Sequence, residues 1–178
     1  METGLGSFIE QVLTRQGSDP GRLVQILRDV QAQYGHVAQR AIEILAERLG
    51  LPVGAVESTL DFYSFLTREP TGAYRILFSD NITDRMTGNQ PIFDHMAKRL
   101  GVTRGVVSPD GLVSLDFTSC TGMCDQGPAI LVNGMAITRM TLRRADQICD
   151  LIRSKVPLED WPREFFQVDH SIRRADML

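Results

Sequence analysis

Two cysteines, Cys120 and Cys124, are the residues of this chain whose type and spacing point most directly to chemistry. They follow an apolar segment with the pattern of a strand and precede a turn-forming Gly127-Pro128, so we expect them on a loop at the end of a sheet. Two thiols this close together on a loop can both reach one metal ion or iron–sulfur cluster. The alternative is a pair of buried, inert cysteines. The three-residue separation differs from the Cys-x-x-Cys of thiol oxidoreductases, which disfavours a thiol-exchange enzyme.

The first third of the chain, which precedes this loop, has the pattern of short helices. Its apolar residues recur on one face at helical spacing in three segments, residues 23–34, 37–49 and 53–66. Residues 6–14 indicate a shorter amphipathic, turn-rich segment, and Gly35 and Gly50 are expected to end helices. Short helices joined by short loops predict a compact bundle over residues 1–69.

The pattern changes at the turn residues 69–72, and the following part of the chain alternates between strand and helix signals. Strand signals fall at residues 73–78, 112–117, 128–132 and 135–138. Helix signals fall at residues 92–100 and 142–152, whereas the polar residues 79–90 predict an irregular segment. Asn133-Gly134 predicts a hairpin between the last two strands. A small sheet covered by helices is therefore expected over residues 70–157, and the fold class is α+β.

Composition excludes several classes of function. The chain has 178 residues, a net charge of −3 and three cysteines. The charge gives no electrostatic case for nucleic acid, and no apolar stretch approaches the roughly 20 residues of a membrane helix. The first residues lack the basic start and apolar core of a secretory signal. The odd cysteine count argues for a reducing compartment, so we expect a cytoplasmic protein.

The segment from Cys120 to Gly134 resembles the second cluster-binding segment of the 24 kDa-type [2Fe–2S] subunits of respiratory NADH dehydrogenase and their equivalents in NAD-reducing hydrogenases and NAD-linked formate dehydrogenases. Residues 33–37 resemble a segment between the bundle helices of that family, and residues 59–65 resemble its Thr-x-x-Phe-Tyr segment. The resemblance runs almost from end to end. It implies an N-terminal helical bundle followed by a thioredoxin-like [2Fe–2S] ferredoxin-type domain. After Pro157 the composition becomes that of a tail, so residues 158–178 are expected to form a C-terminal tail or linker, with Trp161, Phe165 and Phe166 as candidate anchors.

The chain departs from the family at the first pair of cluster ligands. The family places two cysteines, separated by four residues, on the loop after the first strand of its second domain. The matching positions here are Ser79 and Asp84. The resemblance therefore implies a metal site made of Cys120, Cys124, Ser79 and Asp84, with two thiolates and two oxygens where relatives offer four thiolates.

Three interpretations of this set stay open. In the first, a [2Fe–2S] cluster has Cys120 and Cys124 on one iron and Ser79 and Asp84 on the other, because ionised oxygen ligands can also bind ferric iron. In the second, the cluster is lost and the domain is a structural cover. In the third, the two cysteines and Asp84 bind a single zinc ion, which is disfavoured because no histidine lies nearby in sequence.

The remaining cysteine and the histidines are assigned structural roles. Cys149 lies on the apolar face of the last predicted helix and is expected in the core. His36 follows a predicted helix end and is interpreted as structural or interfacial. His95 is expected to be a solvated helix residue, and His170 lies in the tail.

Within the resembled family, the small subunit packs against a flavoprotein that binds FMN and NAD(H). The resemblance thus implies an electron-transfer and docking module of an NAD(H)-oxidising diaphorase, with no catalysis by this chain alone. It is nearest to the N-terminal region of the diaphorase subunit of NAD-reducing hydrogenases, and other iron–sulfur subunits of such complexes are expected partners. FMN and NAD are expected on the partner, because this chain lacks a phosphate-cradling glycine loop. Residues 171–178 have the composition of a linker, which suggests a fragment of a longer protein.

Overall fold

The structure is a computed structural model that describes residues 2–169. The described residues up to Thr71 form one compact unit, and those from Gly72 onward form a second. The expected linker at residues 171–178 and His170 lie outside the described residues.

The first unit is built from helices, as the sequence predicts. They are α1 (Glu2–Gln16), a 3-10 helix (Pro20–Arg22), α2 (Leu23–Tyr34), α3 (Gln39–Leu49) and α4 (Val53–Phe62). Helices α2 and α3 end at Gly35 and Gly50, whose φ values of 77° and 64° lie in the left-handed region that glycine adopts without strain. The core of this unit contains most of the apolar residues on the predicted helix faces, whereas Tyr34 and Val53 are 39% and 40% exposed.

The prediction of a short turn-rich segment at residues 6–14 is wrong, because α1 is a continuous helix of 15 residues. Two glycines near its start, Gly4 and Gly6, lower its intrinsic helix propensity. Ile9, Val12 and Leu13 lie on one face and are almost completely buried in the core of the first unit. Packing of this face therefore outweighs the weak local propensity.

The second unit contains a mixed sheet with the strand order β2-β1-β3-β4. Its strands are β1 (Tyr74–Ser79), β2 (Val113–Thr118), β3 (Ile130–Val132) and β4 (Met135–Ile137), and its helices are α5 (Ile82–Met86), α6 (Asn89–Leu100) and α7 (Leu142–Arg153). Strand β1 pairs in parallel with β2, whereas β3 runs antiparallel to both β1 and β4. Phe78, Leu115, Met96 and Ile148 join the sheet to α6 and α7 in one apolar core. The predicted small sheet covered by helices is therefore present.

The prediction that residues 79–90 are irregular is wrong. This segment contains the five-residue helix α5, and α6 begins at Asn89, three positions before the predicted start. The apolar residues of α5, Ile82 and Met86, are 75% and 82% exposed. The helix therefore has no buried apolar face that a helical pattern in the sequence could reveal. The helix depends instead on its N-cap, where the Asn81 side chain accepts a hydrogen bond from the Asp84 backbone N–H.

Residues beyond α7 contribute to the core of the second unit. Two 3-10 helices, Leu158–Asp160 and Arg163–Phe166, follow α7. Trp161 and Phe165 are each 3% exposed. The Trp161 indole N–H donates to the Val156 carbonyl at 2.9 Å, and its ring stacks on Tyr74 with centroids 6.0 Å apart. Along residues 2–169, no helix has both the length and the apolar character needed to cross a membrane.

Candidate metal centre

The topology of the sheet brings two loops together at one edge. Because β1 and β2 are parallel and paired from Tyr74↔Val113 to Ser79↔Thr118, the chain leaves both strands on the same side. The loop after β1 carries α5, and the loop after β2 carries both cysteines before it enters β3. The Asp80 backbone N–H donates to the Thr118 carbonyl at 2.7 Å, so the pairing continues past the end of β1.

All four residues named from the sequence converge on one side-chain atom. The Asn81 Nδ2 atom lies 2.6 Å from Ser79 Oγ, 2.7 Å from Asp84 Oδ2, 3.4 Å from Cys124 Sγ and 3.6 Å from Cys120 Sγ. The structure thus places two oxygens from the first loop opposite two sulfurs from the second. Whether these atoms ligate a metal stays a prediction.

Asn81 is the residue of this site that the sequence analysis did not identify. The sequence contains one indication of its role: Asn81 precedes Asp84 by three positions, a spacing typical of a helix N-terminus. The missing information was that α5 exists, because its exposed apolar residues hide the amphipathic pattern. Without that helix, the direction of the Asn81 amide cannot be inferred.

The site has a buried side and an exposed side. Ser79 and Asp84 are 0% exposed, whereas Cys120 and Cys124 lie at the surface. The oxygens therefore lie on the buried side of the site, and the sulfurs lie on the side that faces the solvent.

The Asp84 carboxylate is held by hydrogen bonds on both oxygens. Oδ1 accepts from the Ala129 backbone N–H at 3.0 Å, and Oδ2 accepts from Asn81. Gly127 packs directly against this carboxylate, since a Cβ atom at that position would come within 2.7 Å of Asp84 Oδ1. Any side chain at position 127 would displace the carboxylate from the site.

The two thiols lie next to each other, with their sulfurs 3.5 Å apart. The Gly122 backbone N–H donates to Cys120 Sγ at 3.3 Å, and this bond is the main reason that the pKa of Cys120 lies below its ordinary value. The pKa of Cys124 is raised, chiefly by its hydrogen bond to Cys120 and then by desolvation. Cys120 is therefore the first of the pair to become a thiolate.

The balance of donors and acceptors fits a cationic centre. An amide nitrogen carries two hydrogens, but four acceptor atoms surround Asn81 Nδ2. Two of these acceptors are sulfurs that favour soft metals, and two are oxygens that favour hard ions such as ferric iron. The residue types at the four positions can ligate iron, and their binding of a [2Fe–2S] cluster stays a prediction.

A single metal ion fits less well. Among residues 2–169, no group of three or more His, Cys, Asp or Glu side chains is close enough to hold one. The zinc interpretation, which needs Cys120, Cys124 and Asp84 around one ion, is therefore disfavoured.

The other cysteine and the described histidines have contacts of their own. Cys149 is completely buried, as expected, and burial raises the pKa of its thiol to about 11. His95 lies on helix α6 with its side chain 34% exposed, and its Nε2 atom also lies 2.7 Å from Asp146 Oδ1 on the neighbouring helix α7. His36 Nδ1 lies 3.1 Å from the Tyr34 carbonyl oxygen, which is compatible with a structural role.

Comparison with known families finds one match that covers most of the chain. Residues 9–153 match the sequence model of the family described as thioredoxin-like [2Fe–2S] ferredoxin.

Curated relatives come from two kinds of complex. The chain is 33% identical over 148 residues to the alpha subunit of the NAD-reducing hydrogenase HoxS of Cupriavidus necator, covering 83% of this chain and 24% of that protein. It is 28% identical over 148 residues to a subunit of the NADH-quinone oxidoreductase of Mycobacterium bovis, covering 83% of this chain and 59% of that protein. The chain thus spans less than two thirds of the length of either relative.

A solved structure has the same fold. A chain in the crystal structure of an NAD⁺-reducing [NiFe]-hydrogenase in the air-oxidized state superposes with a TM-score of 0.74 and 28% identity, over 83% of this chain and 25% of that chain. The superposition and the family match together confirm the predicted fold class, in which N-terminal helices precede a thioredoxin-like domain.

Proposed function

The chain belongs to the thioredoxin-like [2Fe–2S] ferredoxin family, and from this premise we propose that it is an electron-transfer and docking module of an NAD(H)-oxidising diaphorase. The observation that carries the proposal is the convergence of Ser79, Asp84, Cys120 and Cys124 around one point, within 2.6–3.6 Å of Asn81 Nδ2.

In this proposal, Cys120 and Cys124 would hold one iron of a [2Fe–2S] cluster, and Ser79 and Asp84 would hold the other. The bound cluster supplies a site that takes up and releases one electron. The Ala129 N–H orients the buried carboxylate through its 3.0 Å hydrogen bond. The exposed sulfur side is the side on which a partner redox group comes nearest.

The partner we propose is a flavoprotein subunit or domain that binds FMN and NAD(H), together with further iron–sulfur subunits of a hydrogenase or dehydrogenase complex. The relatives' names associate this family with NAD-reducing hydrogenase and NADH-quinone oxidoreductase. All three cysteines of this chain are free thiols, which agrees with a reducing, cytoplasmic location.

Anaerobic purification followed by iron and sulfide analysis tests the cluster. We expect about two irons per chain, a visible absorption band and an EPR signal after reduction. The double variant Cys120→Ala, Cys124→Ala should lose all three. Cys149→Ala, which removes a thiol from the core, should keep them and is the matched control. A colourless, iron-free wild-type protein would contradict the proposal.

A second function is favoured by a specific observation, namely the Asn81 amide at the centre of the site. There it donates to Ser79 and Asp84 at 2.6 and 2.7 Å, so these oxygens are satisfied without a metal. In this alternative, the chain is a clusterless structural domain that stabilises the flavoprotein. It predicts normal assembly and normal NADH-driven dye reduction by the complex when Cys120 and Cys124 are both alanine. Loss of electron transfer with assembly intact would rule it out.

A further inference from the structure

The Asn81 side chain performs two tasks with its two ends. Its Oδ1 atom accepts the Asp84 backbone N–H at 2.8 Å and caps α5, while its Nδ2 atom points at the four candidate ligands. Because the cap fixes the oxygen, it also fixes the direction of the nitrogen. The amide therefore cannot leave the site by a simple flip, since a flip would place a second N–H donor against the Asp84 N–H.

The Asn81 Nδ2 atom makes stronger contacts to the two oxygens of the site than to the two sulfurs. Its contacts to Ser79 Oγ and Asp84 Oδ2, at 2.6 and 2.7 Å, have the length of good hydrogen bonds, and those to Cys124 and Cys120, at 3.4 and 3.6 Å, are weaker contacts to sulfur. The amide thus occupies, by hydrogen bonding, the buried oxygens that a metal would need, and it holds the exposed sulfurs less firmly. A cation entering from the surface meets the sulfurs first and the amide next.

We propose that the Asn81 side chain closes this site in the metal-free protein and opposes metal binding, because it must rotate away and release the cap of α5 before a cation can reach Ser79 and Asp84. The part of this inference that concerns iron rests on the proposed function. The part that concerns the metal-free protein does not, since any cation that the two exposed sulfurs bind from the surface meets the same amide.

Two substitutions separate the cap from the closing contact. Asn81→Ser keeps a side-chain oxygen that can cap α5 but removes the nitrogen from the site. Asn81→Asp keeps the shape and the cap, and replaces the nitrogen with a second carboxylate oxygen that attracts cations. Thr83→Ala changes an exposed residue of the same helix and is the matched control.

The test is a titration of the purified, metal-free full chain with Co²⁺, followed by the thiolate-to-cobalt charge-transfer absorption. We expect Asn81→Ser to bind about tenfold more tightly than wild type, which is what the loss of an opposing hydrogen bond of ordinary strength allows. Asn81→Asp should bind more tightly still, and Thr83→Ala should match wild type. The band should be absent from the double variant Cys120→Ala, Cys124→Ala, which places it at this site. Circular dichroism establishes that each variant is folded.

Iron retained after anaerobic reconstitution with ferrous iron and sulfide is the second measurement. Higher retention in Asn81→Ser than in wild type supports the inference for the cluster itself. Cobalt affinities that are equal in wild type and both Asn81 variants would overturn it, whatever the iron content. If no variant forms a cluster but the cobalt affinities rise as expected, the proposed electron-transfer function fails and the role of Asn81 stands.

Discussion

The Asp84 carboxylate accepts a hydrogen bond from the backbone N–H of Ala129, 3.0 Å away and 45 positions further along the chain. Both residues are completely buried, so this bond links the loop after β1 to the start of β3 inside the protein. A carboxylate in this position has a structural task as well as a candidate ligand role.

Asp84→Ala should lower the free energy of unfolding by about 2 kcal/mol, because the Ala129 N–H would lose its partner without gaining water. The matched control is Asp80→Ala. Asp80 pairs with Arg85 on the surface at 2.5 Å, and such a pair is worth less than about 1 kcal/mol. Urea unfolding of both variants measures the difference. If Asp84→Ala were as stable as wild type, the free-energy cost of burying the carboxylate would equal the stabilisation from its hydrogen bonds. Ligand binding would then be the only role left for Asp84.

Restoring thiolates at the two oxygen positions should strengthen the cluster. In the double variant Ser79→Cys, Asp84→Cys, all four ligands are sulfur, and we expect more iron per folded chain after gel filtration than in wild type. The reduction potential should rise, because hard oxygen ligands favour the ferric state and their removal relieves that preference. Redox titration followed by EPR measures the shift. Unchanged iron content and potential would indicate that positions 79 and 84 do not contact the cluster.

The family resemblance predicts which side chains meet better than the sequence patterns predict the elements that hold them. Ser79, Asp84, Cys120 and Cys124 do gather around Asn81 Nδ2, whereas their binding of a cluster stays a prediction. Helix α5 was missed because its stability comes from a cap and not from an apolar face. Asn81 was missed with it, since the direction of a side-chain amide depends on the backbone of the helix that it caps.

The contacts between α6 and α7 also divide into some that the sequence predicts and some that it does not. The sequence predicts helices over residues 92–100 and 142–152, and Phe93, Met96 and Ile148 of these segments are buried. The pairing of His95 with Asp146 could not be predicted, because it joins polar residues 51 positions apart on two helices. Polar contacts between elements leave no periodic signal in the sequence.

The cysteine pair should oxidise selectively in the metal-free protein. Cys120 and Cys124 are exposed and their sulfurs are 3.5 Å apart, so a small movement of the loop allows a disulfide. With diamide, the two thiols would each give up one hydrogen to the reagent, which is reduced to the hydrazine. Mass spectrometry after alkylation should find Cys149 as the sole free thiol in the folded protein, because it is completely buried. Two alkylated cysteines at positions 120 and 124 after treatment would refute this expectation.

The contact between α6 and α7 should depend on pH in the acid range. The pKa of Asp146 lies below its ordinary value, first because of the hydrogen bond with His95 and then because of the one with Arg99. A carboxyl whose pKa is lowered by folding stabilises the native state above its unfolded pKa of about 4, and this stabilisation is lost as the pH falls through the folded value. The stability difference between wild type and Asp146→Asn should therefore be full at pH 5 and shrink toward pH 2. A difference that grows on acidification would contradict the assignment.

The segment after α7 should be essential to the second unit, although its composition resembles a tail. Trp161 is 3% exposed, and Tyr74 and Trp161 both donate to the Val156 carbonyl, at 2.6 and 2.9 Å. Trp161→Ala removes the stacked ring and one of these hydrogen bonds, so it should cost about 3–5 kcal/mol in the free energy of unfolding. Phe62→Ala, which truncates an aromatic ring that is 79% exposed, should change stability by less than about 0.5 kcal/mol and serves as the control. Equal effects of the two substitutions in urea unfolding would show that this segment does not contribute to the core.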